Sequence, residues 1–121
     1  MQGPTILIAN SDPNSAATLS EVLRDHARSV LVVRSAEELR SAVPKHRAST
    51  VVADLETVPL SEIERLHNNF SHLAIICTHR VPDEQMWADS LAAGAIDCLH
   101  NRDFNEIART ATGRRYKVQA A

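Results

Sequence analysis

Five short apolar runs punctuate the chain: Thr5 to Ala9, Val30 to Val33, Thr50 to Ala53, Leu73 to Cys77 and Ile96 to Leu99. Each is too short for a helix and most are rich in β-branched residues, so they read as strands buried on both faces. Between them, apolar positions recur at helical spacing. Leu19, Val22 and Leu23 mark the first such segment, Leu39 and Val43 the second, Ile63 and Leu66 the third, and Ala88, Leu91 and Ala92 the fourth. A final helix carries Phe104, Ile107, Ala108 and Ala111. The punctuation agrees. Asp12 before Pro13 is an N-cap and first-turn pair, Ser35 with Glu38 forms a capping box, and Gly94 is a helix stop.

Strict alternation of strands and helices requires right-handed crossovers, hence a parallel sheet covered by helices on both faces. The expected fold is α/β, a doubly wound five-stranded flavodoxin-like domain. At 121 residues, 44% of them apolar, the chain holds one such core and has no room for a second. The low aromatic content leaves Ala, Val, Ile and Leu to build it. The domain is expected over residues 1–115. Periodicity fades from Gly113, and residues 116–121 read as a tail or the start of a linker toward an output domain.

Charge narrows the functional classes. Thirteen basic and fifteen acidic residues give a formal net charge of -2, with no field to draw the chain onto nucleic acid or an anionic membrane. The cluster Arg109, Arg114, Arg115 and Lys117 reads as a solvated helix end. Cys77 and Cys98 lie outside any C-x-x-C pattern and are expected to be reduced, buried thiols. No apolar stretch approaches the roughly 20 residues of a membrane span, and the opening residues lack a signal-peptide design, so the expected location is cytoplasmic.

Chemistry in an open parallel sheet collects beyond the carboxyl ends of its strands. The side chains there are Asn10, Ser11 and Asp12, then Asp54, then Thr78 and His79, and last His100, Asn101 and Arg102. The segments Ile6-Leu7-Ile8-Ala9-Asn10-Ser11-Asp12-Pro13, Val51-Val52-Ala53-Asp54-Leu55, Ile75-Ile76-Cys77-Thr78 and Ala93-Gly94-Ala95-Ile96-Asp97-Cys98-Leu99 follow one another in a fixed order. In that order and spacing, from Ile6 to about Arg115, the chain resembles the receiver domains of bacterial two-component response regulators.

The resemblance implies strand order 2-1-3-4-5, signal transduction by phosphorelay, and no enzymatic activity of the chain's own. It places Asp54 on the phosphoacceptor and Thr78 on the switch hydroxyl. It also exposes departures. The two acids that help the acceptor hold Mg²⁺ are here Asn10 and Ser11, which removes about two negative charges from the site. The lysine that pairs with the phosphoryl group is Asn101, and Arg102 stands one position late. His79 replaces a small residue and is expected to cover Asp54, Cys98 replaces the switch aromatic, and Pro59 comes five positions after Asp54 where four are usual. Asp12 is read as the helix cap, with Asp54 and Asp12 the only carboxylates available should a metal bind.

The expected function is that of an atypical or pseudo-receiver, acting through protein contacts with weak or absent aspartyl phosphorylation and no cofactor. A working phosphoreceiver, charged at Asp54 by a histidine kinase with Mg²⁺, is the alternative. Asp54 is otherwise a structural hydrogen-bond hub fed by loop N–H groups or by Asn10, Ser11 and Asn101. A small-ligand or enzymatic flavodoxin-like domain is the reading from another class. It lacks support: with only Gly3, Gly94 and Gly113, no phosphate-cradling glycine loop is available. Six histidines are scattered, and only His79 and His100 converge at the strand ends. Expected partners are a histidine kinase or a downstream signalling protein. A homodimer through the fourth helix, fifth strand and fifth helix, a face that includes Trp87 and Phe104, is the further option. Burial is the plainer expectation for both aromatics.

Overall fold

The structure, a computed structural model, describes residues 3–113. Strands β1 (Thr5–Ala9), β2 (Ser29–Val33), β3 (Thr50–Asp54), β4 (Ala74–His79) and β5 (Asp97–His100) alternate with helices α1 (Pro13–Arg24), α2 (Ala36–Lys45), α3 (Leu60–Asn69), α4 (Glu84–Ala93) and α5 (Phe104–Ala111). All neighbouring strands pair in parallel, in the order β2-β1-β3-β4-β5. The doubly wound topology is therefore the expected one. The proposed tail at residues 116–121 lies outside the described residues, as do Arg114, Arg115 and Lys117.

Alternation of side chains along each strand divides the core into two layers. Leu7, Ala9, Val51, Ala53, Ile75 and Cys77 point to one side, where Leu39, Val43, Ile63 and Leu66 of α2 and α3 meet them. Ile6, Ile8, Val52 and Ile76 point to the other, against Leu19 and Leu23 of α1 and Ile107 and Ala111 of α5. The helix starts follow from their caps. Asp12 accepts from Asn14 N–H, Ser35 from Glu38 N–H, and Glu38 reaches back to the Arg34 N–H, one residue earlier than in the usual box.

Two expectations need correction. Only β1, β3 and most of β4 are buried on both faces. β2 is an edge strand whose Val32 is 42% exposed, and β5, the other edge, emerges at Leu99 and His100. The hydrophobic run of β2 looked like a central strand because one of its faces still packs on the core. In α4 the inward face is set by Ser90 and Ala93, with Ala88 and Ala92 exposed and Leu91 half-buried. Alanine is a poor marker of phase because it suits either face of a helix. β4 and β5 also lie further toward their carboxyl ends than expected: Leu73 and Ile96 precede them, and Thr78, His79 and His100 belong to the strands themselves.

Candidate functional site at the carboxyl edge of the sheet

Asp54 and Thr78 are brought together by register. Asp54 pairs with Thr78 across β3 and β4, and in a parallel ladder such partners project to the same side of the sheet. Thr78 Oγ1 donates to Asp54 Oδ1 at 3.1 Å, and the Glu56 N–H donates to Oδ2 at 3.2 Å. Asp54 is only 7% exposed. Burial raises its carboxyl above the ordinary carboxylate range, while the Thr78 hydroxyl and Glu56 N–H pull the other way.

The loop after β1 is organised around its own polar groups. Asn10 Oδ1 accepts the Asp12 N–H at 2.9 Å. Asp12 in turn caps α1, accepting from Asn14 N–H and from the Ser15 hydroxyl at 2.8 Å. Ser11 is tied across the cleft: its N–H donates to Thr57 Oγ1 at 2.9 Å, and the Thr57 hydroxyl donates to Ser11 Oγ at 3.1 Å. Thr57 went unnoticed in the sequence because its role needs the folding of the Asp54–Pro59 loop, where Thr57 and Val58 N–H groups both return to the Asp54 carbonyl. Removing this two-way tie should cost little, since both residues are near solvent. Ser11→Ala and Thr57→Val are expected to show a coupling of about 0.5–1 kcal/mol in urea unfolding.

A second tie joins the neighbouring loops. Arg80 Nε donates to Glu56 Oε1 at 2.7 Å, linking the segment after β4 to the segment after β3. Neither residue stood out in the sequence, because an Arg–Glu pair 24 positions apart carries no periodic signal.

His79 does not cap Asp54 by a hydrogen bond. It has the parity of Ile75 and Cys77, which face the α2–α3–α4 layer, whereas Asp54 and Thr78 have the parity of Val52 and Ile76. Its ring accepts the Val81 N–H through Nδ1 at 3.0 Å and lines a groove with Leu60, Asp83 and Met86. His100 does likewise, its Nδ1 accepting from Arg102 N–H at 3.0 Å. The two histidines are register partners, yet each has one ring nitrogen occupied by its own turn. Nor do Asn10, Ser11 and Asn101 feed the Asp54 carboxylate, which takes its hydrogen bonds from Thr78 and Glu56 instead.

Asn101 and Arg102 line a cleft of about 310 Å³ with Asp12, Ser15, Arg80 and His100. Trp87 is 48% exposed rather than buried, its indole Nε1 donating to Asp97 Oδ1 at 3.2 Å. A lone aromatic on a helix is a core residue only if its phase points inward, and here Ser90 and Ala93 hold that face. Phe104 packs half-buried against the α1–α5 layer, so the two aromatics flank β5 from opposite layers.

This arrangement is a poor match for a divalent cation. Mg²⁺ asks for several oxygen ligands, with carboxylates foremost. Asp54 is the one carboxylate inside the site, Asp12 has both oxygens engaged by the helix start, and Asn10 Oδ1 already holds a backbone N–H. Among the described residues no group of three or more His, Cys, Asp or Glu side chains is placed to hold a metal.

The same architecture recurs in solved structures. The RcsB response regulator of Salmonella typhimurium, described for its interaction with DNA, superposes with a TM-score of 0.84 at 16% identity over 97% of this chain and 61% of that one. The signal receiver domain of a DNA-binding response regulator from Colwellia psychrerythraea 34H gives 0.80 at 17% identity, covering 95% of this chain and 98% of its own. The fold is that of response-regulator receiver domains. A third receiver-fold protein, an atypical orphan response regulator described with a phosphorylation-independent regulatory mechanism, gives 0.81 at 14% identity over 93% and 95% of the two chains. This chain thus spans about three fifths of that RcsB chain and nearly the whole of the isolated receiver domain. No family model and no curated protein matches the sequence. In the receiver fold the carboxyl edge of the sheet is where Asp54, Thr78 and the cleft beside them lie.

Proposed function

We propose that this chain is an atypical receiver domain, a signal-transduction module that works through protein contacts with little or no phosphoryl transfer to Asp54. One observation carries the reading. At the positions where receivers place their metal-binding acids, Asn10 and Ser11 are spent on holding the loops, one to Asp12 N–H and the other to Thr57. Without those carboxylates a phosphoryl group approaching the buried Asp54 meets no metal ion held to offset its charge, and the lysine position is a neutral Asn101. Asp54 then serves as a hub joining β3, β4 and the loop after β3.

The partners in this reading are a histidine kinase, a downstream protein, or an output domain joined through the C-terminal end. Exposed apolar side chains near β5, Trp87 and Ile96 with Val81 in the turn before α4, offer a surface for such a partner or for a second copy of the chain. A cytoplasmic location and the absence of direct nucleic-acid contact go with it. No described helix is long and apolar enough to cross a membrane.

The test is incubation with a small phosphodonor and Mg²⁺, followed by intact-mass measurement. The expected result is no stable adduct; a stoichiometric phosphoryl adduct that disappears in Asp54→Asn would overturn the reading. The second reading, a phosphoreceiver with altered metal use, is favoured by the Asp54–Thr78 contact and requires saturable Mg²⁺ or Mn²⁺ binding that Asp54→Asn abolishes. A small-molecule enzyme gains little, because Asp54 lines neither the polar cleft of Arg80, Asn101 and Arg102 nor the more apolar groove of Leu55, Pro59, Leu60 and Met86.

A further inference from the structure

The cleft between the start of α1 and the turns after β4 and β5 has more cation than it uses. Its lining is Asp12, Ser15, Arg80, His100, Asn101 and Arg102. We propose that this cleft is a non-covalent binding site for a small phosphate-type dianion, separate from any chemistry at Asp54.

The donors can be counted. Arg102 forms no ion pair or side-chain hydrogen bond among the described residues. Arg80 engages Glu56 through Nε, which leaves its two terminal nitrogens. The His100 ring accepts Arg102 N–H at Nδ1, so its neutral form carries the proton on Nε2 and is a donor there. The Asn101 side chain makes no hydrogen bond among the described residues, its backbone N–H going to the His79 carbonyl.

Against these stands one carboxylate in the cleft wall, Asp12. Both its oxygens are occupied, by Asn14 N–H and by the Ser15 hydroxyl, which is thereby spent as a donor. Glu56 sits behind Arg80 and offsets part of its charge. The balance still favours an anion, with Arg102 as the main contact. Planar guanidinium groups on separate loops suit the tetrahedral oxygens of a phosphate, which accepts paired N–H bonds. A volume of about 310 Å³ accommodates a phosphate together with a small attached group.

The ligand is either inorganic phosphate or a phosphate monoester, and the experiment separates them. Titration calorimetry with inorganic phosphate, pyrophosphate, ribose 5-phosphate and acetate is run on the wild type and on Asp54→Asn. In Asp54→Asn no aspartyl phosphate can form, so failure here is independent of the proposed function. The expected result is saturable binding of at least one phosphate compound to both proteins, with acetate inert, and about tenfold weaker binding in Arg102→Ala. Arg34→Ala, outside the cleft, should bind as the wild type does. Amide chemical shifts at His100, Asn101 and Arg102 should move on titration. Tighter binding of ribose 5-phosphate than of phosphate points to a monoester, and the reverse order to a free oxyanion. Absence of saturable binding, or equal losses in Arg102→Ala and Arg34→Ala, would sink the proposal.

Discussion

Gly94→Ala is expected to destabilise the protein by about 3 kcal/mol, more than the loss of any single surface contact. Gly94 ends α4 with φ 113 and ψ 1, a conformation in which an L-residue carries its Cβ against its own backbone. The surroundings compound the strain. An added Cβ would collide with Cγ of His67 and lie 2.6 Å from the His67 Cβ, so α3 and α4 approach here on the condition that one residue has no side chain. The clash falls on Cβ and Cγ, at the root of the His67 side chain, so turning the ring does not relieve it. The two causes separate in a double variant. His67→Ala should recover only the part of the clash made by the ring, leaving the contact with the Cβ at position 67 and the left-handed strain, so Gly94→Ala/His67→Ala should still be more stable than the sum of the single effects predicts in urea unfolding. A change below about 0.5 kcal/mol in Gly94→Ala would mean that the helices do not approach as closely as the structure has them.

Gly94 also illustrates what the sequence could disclose. Its place as a helix stop follows from glycine's suitability for the left-handed position that ends a helix, a local signal. That His67 lies against it depends on the packing of α3 on α4, and nothing local encodes that. The same division runs through the site. The sheet, its order and the position of Asp54 were legible because strand periodicity and alternation are local, and because the strand-end residues matched a known order. The cap at Asp12 was legible for the same reason.

The ties across the cleft were not. Ser11 with Thr57 and Arg80 with Glu56 are pairs of ordinary surface residues, 46 and 24 positions apart, whose meeting depends on the paths of two loops. His79 is expected to cover Asp54 because a bulky ring directly follows Thr78, whereas alternation turns it to the opposite side of the sheet. Burial is expected of Trp87 because aromatics are scarce, whereas Ser90 and Ala93 hold the inward face of α4 and leave the indole exposed. In each case the error came from geometry that a period of 2 or 3.6 leaves undetermined.

Thr78→Val tests the central contact, and its effect should depend on pH in a defined direction. The valine keeps the shape and the β-branch of β4 while deleting the hydroxyl that donates to Asp54 Oδ1. The buried carboxylate is then left with the Glu56 N–H alone. Burial already holds the folded pKa of Asp54 above its unfolded value, so the group favours folding while protonated, and that contribution is lost as pH rises through the folded pKa. Losing the Thr78 bond raises the folded pKa further. The deficit of the variant relative to wild type should therefore be small in acid, where both proteins hold Asp54 protonated, and grow through the window where the wild-type carboxyl ionises. Once the variant's own, higher-titrating carboxyl has also ionised, it should level off at about 2 kcal/mol. Urea unfolding between about pH 4 and pH 7.5 follows it directly. In an Asp54→Asn background there is no charge to strand, and the cost of Thr78→Val should lose its pH dependence. A deficit flat across pH, or one that keeps its slope with Asn at position 54, would show that Thr78 does not stabilise an ionised Asp54. The rising deficit would instead mark Asp54 as a carboxylate held in place by its neighbours, which is what a structural hub requires and a free nucleophile does not.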